Sequence, residues 1–386
     1  MHRRGVAAAG RRGAGPYRRR GRAAQLPERA GRAAGCALAG PGADPGGVQR
    51  LHPRGRPPGD VLPRRRPGAG GAAAHPHGRA GRPGRDPALA GRRGRRRRQG
   101  AGGPAPRAGV VIGSELVLSH FSLGRHRPFE ERVRAAAGAG FAGIGLYAGE
   151  HRRLLAEGAT DADLRAVLDA HGMRVVELEV LRGWSAVGAE AEAYRAAERE
   201  VFAMAGTLGP ARHVQVVGPY LGTLDDAAEA FAGVCDRAAE HGLAAALEFL
   251  PEMTNIPDAG TALELVTRAG RPNGGLCIDV WHHVRGAHDE AMLRRVPPER
   301  VVAVQLGDGP RRRVEADYRS DCTRHRQVPG EGEFDLPRFL RLLDRMGVRV
   351  PLSVEVLSEQ LLALPADVLA RRLYDGTRAV QAAAAG

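Results

Sequence analysis

"LCIDVWHHVRG", residues 276–286, decides how this chain is read. Leu276, Cys277 and Ile278 belong to an apolar run, and Asp279 interrupts it. His282 and His283 follow three and four residues later. A carboxylate in a buried strand is costly unless it is paired or holds a cation. The stretch is therefore either a strand whose C-terminal end carries a functional group, or a loop with scattered polar residues. The flanking sequence decides between them.

The same texture recurs eight times. Short apolar, β-branched runs occupy 114–120, 141–148, 174–181, 213–219, 243–251, 274–281, 301–308 and 351–358. Segments of helical period lie between and after them, at 128–139, 160–171, 187–207, 224–241, 259–269, 288–295, 336–346 and 365–380. Thr160 and Thr223 stand where helix N-caps are expected, with acids in the following turn. Pro257 and Asp258 precede another helix, and glycine follows helix ends in "DAHGM" and "AEHGL". Eight strand–helix units predict an α/β fold, a closed (β/α)8 TIM barrel, with an open doubly wound sheet as the alternative. A dinucleotide-binding sheet needs a glycine-rich turn after its first strand; "HFSLGRHRP" (120–128) has one glycine and no GxGxxG.

In such a barrel the C-terminal strand ends carry the chemistry. The last four strands each place one polar residue there: Glu248, Asp279, Gln305 and Glu355. Four on consecutive strands form a hard-oxygen ligand set suited to a divalent metal (Mn, Mg or Co). The competing reading, an ion-pair network, needs basic partners that these strands do not supply. His282 lies beyond its strand and over the site, placed for substrate binding or acid–base work. His283 reads as a loop or helix-start residue. After the seventh strand comes a long polar loop in which Arg324 and Arg326 precede a Pro-Gly turn. Arg326 is either a substrate clamp or a solvated loop arginine.

Composition divides the chain near residue 108. All 58 basic residues are arginine, and 26 of them fall in 1–108 against four acids. Residues 109–386 then hold 32 basic and 39 acidic residues, a net of −7 within a whole-chain +15. The head has no Phe, Trp or Ile, so it cannot bury enough apolar surface to offset its conformational entropy. The expected organisation is a disordered Arg/Gly/Pro-rich segment over 1–108, read as the product of a mis-set start codon, and a barrel domain over 109–386. The head's other reading is a basic arm, but it interleaves no aromatics for base stacking. Cys36, Cys235, Cys277 and Cys322 are widely spaced, which predicts a reducing, cytoplasmic setting. No run of about 18 apolar residues is present, so no membrane span is expected.

"LEFLP" (247–251), "CIDVWHHVRG" (277–286), "VQLGDGP" (304–310), "RHRQVPGEGEFDL" (324–336) and "LSVEV" (352–356), in this order, resemble the sugar isomerase/epimerase superfamily with the xylose isomerase-like barrel. The resemblance covers roughly residues 111–380. Its members include ketose 3-epimerases, hydroxypyruvate isomerase, inosose dehydratase, 3-dehydroshikimate dehydratase and endonuclease IV. It implies a metal held by Glu248, Asp279, Gln305 and Glu355. It also implies proton transfer by Glu248 and Glu355, and substrate oxygens bound by His282 and Arg326. The epimerases carry histidine where this chain has Gln305; glutamine there, and the loop "SDCTRHRQVPGEGEFDL" (320–336), are similar to some 3-dehydroshikimate dehydratases. Endonuclease IV needs a histidine-rich three-zinc cluster, and here Thr323 and Gln305 replace two of its ligands. The negative barrel also repels phosphate backbones, so nucleic acid is not the expected partner.

The expected activity is isomerisation or epimerisation of a keto-sugar or related polyol through an enediolate, with dehydration as the alternative and a non-catalytic sugar-binding barrel as a third class. The three reactions share their first step, removal of a proton α to a carbonyl. The expected partner is a small carbohydrate-like substrate, and a homo-oligomer is compatible with the sequence.

Overall fold

Each of the eight apolar runs forms a strand in the computed structural model, which describes residues 112–386. The basic segment expected to be disordered lies outside the described residues. The strands are β1 (Leu116–Leu118), β2 (Gly143–Tyr147), β3 (Val175–Leu181), β4 (His213–Val216), β5 (Ala244–Glu248), β6 (Gly274–Asp279), β7 (Val301–Leu306) and β8 (Leu352–Val354). All neighbours are parallel, and β8 returns to β1 with Leu352 opposite Leu116. The sheet is a closed barrel, which excludes the open doubly wound alternative. Among the described residues no helix is long and apolar enough to cross a membrane.

The helices start where the sequence marks them. Thr160, Thr223 and Asp258 each form a capping box, the side chain accepting from the backbone N–H three residues on. Gly172 and Gly242, just past two helix ends, take φ of 62° and 70°, a conformation that costs glycine little. The final helix, Ala366–Ala385, lies beside Phe129–Ala139; Tyr374 packs edge-on against Phe141 at 5.3 Å, and Arg371 Nη1 donates to Ala139 O at 2.9 Å.

Three helices departed from expectation, and all sit at C-terminal strand ends. Ala148–Ala156 follows β2 directly, and Val280–Arg285 begins where β6 was expected to continue. Tyr318–Arg324 lies inside the loop read as irregular. The segment expected over 288–295 narrows to Glu290–Leu293. Short helices of four to nine residues carry too few turns for an amphipathic period to show in sequence.

Close packing fixes two glycines with opposite consequences. A Cβ on Gly275 in β6 would stand 2.4 Å from the backbone oxygen of Arg300, whereas one on Gly138, exposed in the helix Phe129–Ala139, meets nothing within 4 Å. Gly275→Ala should therefore destabilise the fold by about 1–3 kcal/mol, and Gly138→Ala should stabilise it by about 0.5–1 kcal/mol; urea unfolding of both variants checks the pair. His213, at the start of β4, is a second probe. Burial pushes its imidazole down to about 3, while the unfolded chain titrates near ~6.5. Between those values the unfolded state binds the extra proton, so the stability due to neutral His213 is whole above about 6.5 and fades as pH falls. Against His213→Gln, the wild type should lose up to about 1.4 kcal/mol per pH unit between roughly pH 6 and 4, measured by denaturant unfolding at each pH.

Candidate active site

Successive residues of a strand point to opposite faces, so residues two apart share one. That period sets Glu248 above Ala246, Asp279 above Cys277, Gln305 above Ala303 and Glu355 above Ser353. Ala246, Cys277 and Ala303 belong to one buried cluster with Val302, and the polar side chains sit one layer closer to the barrel mouth. The register agrees: Glu248 pairs with Cys277, Asp279 with Gln305, and Gln305 with Ser353. All four polar residues are buried, Asp279 completely.

Glu248, Asp279 and His282 each offer a ligand atom within 4.8 Å of the others. His282 Nε2 lies 3.2 Å from Glu248 Oε1 and 3.4 Å from Asp279 Oδ2. Its Nδ1 shares a 2.5 Å hydrogen bond with the Tyr318 hydroxyl. Burial, foremost, pushes the Tyr318 phenol up and keeps it protonated. That bond couples the imidazole's two ends. When the tyrosine donates, Nε2–H faces the carboxylates; when Nδ1–H donates, Nε2 presents a lone pair to a cation.

Asp279 divides its work. Oδ1 accepts from the Trp281 backbone N–H at 2.8 Å and caps the helix Val280–Arg285. Oδ2 is buried with no aligned hydrogen-bond donor, although Arg326 Nη1 is 2.9 Å away. The approach is an ion pair without hydrogen-bond alignment. The Glu248 and Asp279 carboxylate oxygens with the His282 nitrogen form a donor set that fits a divalent cation.

Gln305 and Glu355 lie in the same network. Gln305 Nε2 donates to Glu355 Oε1 at 3.2 Å, and its Oε1 accepts from Gln215 Nε2 and Cys277 Sγ, each at 3.3 Å. Gln215 Nε2 also reaches Glu248 Oε2 at 2.8 Å, so the two amides tie Glu248 to Glu355. Burial, foremost, pushes the Glu355 carboxyl well above the ordinary range, opposed by Arg326.

The strands supply no basic partner to these carboxylates, as expected, but the loop after β7 does through Arg326. Nη1 lies 2.9 Å from Asp279 Oδ2 and 3.1 Å from Glu355 Oε2. It is not the solvated loop arginine of the competing reading: it is 2% exposed, and it donates to Cys322 O, Cys322 Sγ and Glu355 O. The loop is ordered by its own buried polar groups. Asp308 accepts backbone N–H bonds from Gly309, Gly330 and Phe334, and Asp321 pairs with Arg285 at 3.0 Å. Arg285, on the helix that follows β6, also lies 4.3 Å above the Trp281 ring of the same helix, so its pair with Asp321 ties the loop to that helix. His283 is buried on the helix Val280–Arg285, away from the cluster, stacked 6.2 Å from Phe339. Arg324 pairs with Glu359 on the surface.

The sequence reading missed the other half of the mouth. Glu177 and Glu179 face inward from β3, and Gln215 does so from β4. Ser353 Oγ donates to Glu177 Oε1 at 2.5 Å. Ser119 Oγ reaches Glu179 Oε2 at 3.4 Å and Glu355 Oε1 at 3.3 Å. Burial first, then the charges of Glu177 and Glu355, hold the Glu179 carboxyl well above its usual range. The criterion that found Glu248, a polar residue inside an apolar strand, also marks "VVELEVL" and "HVQV". Tyr318 left no such signal, because only the folding of the loop brings it to His282.

Known proteins share this architecture. A model of the xylose isomerase-like TIM barrel family matches residues 133–379. The 3-dehydroshikimate dehydratase of Pseudomonas aeruginosa is 28% identical over 241 residues, 61% of this chain and 37% of that protein. The enzyme of the same name from Pseudomonas putida is 30% identical over 145 residues, 36% of this chain and 22% of that protein. This chain thus spans well under half of the length of these curated relatives. Three solved structures share the fold. A xylose isomerase-like TIM barrel/4-hydroxyphenylpyruvate dioxygenase fusion protein matches with TM-score 0.60 and 22% identity, covering 69% of this chain and 42% of that one. The IolI protein with a bound zinc atom matches with TM-score 0.62 and 19% identity, covering 69% and 98%. D-psicose 3-epimerase from Clostridium cellulolyticum, solved with D-tagatose, matches with TM-score 0.54 and 14% identity, covering 70% and 99%. From the closed barrel, the polar strand ends and a family match over most of the described residues, the chain belongs to the xylose isomerase-like TIM barrel family.

Proposed function

We propose that this barrel is a divalent-metal-dependent dehydratase that removes a proton α to a ring carbonyl and expels a β-hydroxyl, in the manner of a 3-dehydroshikimate dehydratase. One observation carries the metal-dependent part: ligand atoms of Glu248, Asp279 and His282 converge within 4.8 Å, and the buried Asp279 Oδ2 has no aligned hydrogen-bond donor, only the Arg326 ion pair. The choice of dehydration is supported by two curated relatives of that name and by Gln305 at the strand-seven position. Epimerisation or isomerisation, the first expectation from the sequence, is the second reading, favoured by the fold shared with D-psicose 3-epimerase.

In this proposal Glu248, Asp279, Gln305 and Glu355 hold the ion, with the His282 imidazole at its edge. A bound divalent cation supplies Lewis-acid stabilisation of the oxyanion that develops as the α-proton leaves. Glu248, steadied by Gln215, takes that proton onto its carboxylate. The electron pair left on carbon forms the enolate, which then expels the β-hydroxyl. His282, backed by Tyr318, gives a proton to the departing oxygen so that it leaves as water. Glu355, held by Gln305, Ser119 and Arg326, faces the substrate from the opposite side. For 3-dehydroshikimate, loss of one water yields an aromatic dihydroxybenzoate, and aromaticity drives the step to completion. The barrel of residues 109–386 is proposed to suffice for this reaction without the basic segment.

The protein is stripped with a chelator, reloaded with Mn²⁺ and given 3-dehydroshikimate, with the aromatic product followed by ultraviolet absorbance. Turnover is expected only with metal. If ketoses exchange the α-proton in D₂O while no aromatic product forms, the second reading replaces the first. Glu248→Gln and Asp279→Asn should abolish stoichiometric metal binding by calorimetry while leaving circular dichroism native. Tyr318→Phe should keep the metal and lower kcat about 10–100-fold, because His282 loses the partner that orients it.

A further inference from the structure

We propose that Arg311, Arg312 and Arg313 form a cationic rim at the catalytic end of the barrel that draws in anionic substrates, and so favours a carboxylic acid over a neutral sugar. The proposal rests on the dehydratase reading and names the substrate class that such a rim serves. The three residues are consecutive in the loop after β7, and all three are exposed.

The backbone of this run is fixed while its side chains stand in solvent. Arg285, on the helix that follows β6, donates from Nη1 to the Arg311 carbonyl oxygen at 3.0 Å. On the other side of the run, the buried Asp321 accepts from the Val314 and Glu315 N–H groups at 2.7 and 3.3 Å. Arg313 also joins the run to the site. Its guanidinium carbon lies 4.9 Å over the Tyr318 ring, and the Tyr318 hydroxyl bonds His282. A guanidinium laid on a ring keeps its N–H edge free for an oxyanion.

The loop's own acids are engaged elsewhere. Glu315 pairs with His325 at 2.9 Å and lies 3.7 Å from Arg324; Asp321 pairs with Arg285, and Glu331 with Arg372. Asp317 accepts from Ser320 and has Arg319 and Arg324 as charged neighbours. Asp308 and Asp335 accept backbone N–H groups. Glu333 touches the run at the Arg311 N–H and offsets at most one of its three charges. Among the described residues none of the three guanidinium groups is in an ion pair.

The rest of the barrel supplies the reason for such a rim. Residues 109–386 hold 32 basic and 39 acidic residues, and Glu177, Glu179, Glu248, Asp279 and Glu355 are buried on the strands or at their ends. An anion nearing those acids is repelled unless cations at the entrance offset the field; a neutral ketose meets no such barrier. Three positive side chains at that end thus serve an acid and are idle for a sugar.

The probes are 3,4-dihydroxybenzoate and catechol, which share the diol and differ in the carboxylate. Binding of each to the metal-loaded full chain is measured by calorimetry at low salt and at about 0.5 M salt, where charges are screened within a few ångströms. The acid should bind the wild type about threefold or more tightly at low salt, with catechol unchanged. Changing Arg311, Arg312 and Arg313 together to Gln should weaken the acid about three- to tenfold at low salt and leave catechol within about twofold. The control changes Arg134, Arg212 and Arg345 to Gln. It removes the same charge outside the loops that follow the strands, keeps the basic N-terminal segment, and should leave both probes as in the wild type. Equal weakening of the acid in both triple variants overturns the proposal, as does equal salt dependence of the two probes or failure of the wild type to bind the acid. Turnover of 3-dehydroshikimate with kcat/KM untouched by the rim variant sinks the rim and leaves the reaction standing. A rim that selects the acid in a protein that does not convert 3-dehydroshikimate sinks the reaction and leaves the rim.

Discussion

Five of the buried carboxylates belong to the strands or their ends and face the inside of this barrel: Glu177, Glu179, Glu248, Asp279 and Glu355. Removing that many acids from water is the constraint around which the rest is arranged, since each buried charge needs a partner or a proton. The protein answers in three ways. Amides and hydroxyls from Gln215, Gln305, Ser119 and Ser353 bind carboxylate oxygens. Arg326 supplies one positive charge to Asp279 and Glu355. Burial, with the charges of Glu177 and Glu355, pushes the Glu179 carboxyl well above its usual range, which favours its neutral form. A divalent cation beside Asp279 Oδ2 would complete the balance at the point where a carboxylate oxygen has no aligned donor.

The constraint explains why so much polar machinery belongs to the loop after β7. Arg326 is useful only if its guanidinium is delivered to the barrel axis and kept there. Asp308 gathers three backbone N–H groups at the loop's base, and the Arg285–Asp321 pair secures its middle. Tyr318 and Cys322, on the loop's short helix, then contact His282 and Arg326. Loop and strand ends are thus one polar assembly, and Glu248, Asp279, Gln305 and Glu355 are its inner layer.

The chain's place among its relatives follows the same division. The barrel is shared with epimerases and with a zinc-bound protein at identities that carry fold alone. The two curated dehydratases are nearer in sequence, and each is much longer than the stretch it shares with this chain. Fold and strand-end acids therefore fit several reactions that begin with an α-proton.

The sequence by itself determined the eight-fold alternation, the capped helices and the four polar residues on β5 to β8. Those features are local: periods of two and 3.6, and a polar residue out of place in an apolar run, need no knowledge of the fold. Extended to β3 and β4, the same rule would have found Glu177, Glu179 and Gln215. Tertiary structure alone decided what those residues face. Arg326 lies 47 positions from Asp279 in sequence and 2.9 Å from it in space. Tyr318 meets His282 only because the chain closes into a barrel. Contacts between distant segments carry no periodic signature, so the charge balance of the site could be read only after the ring was closed.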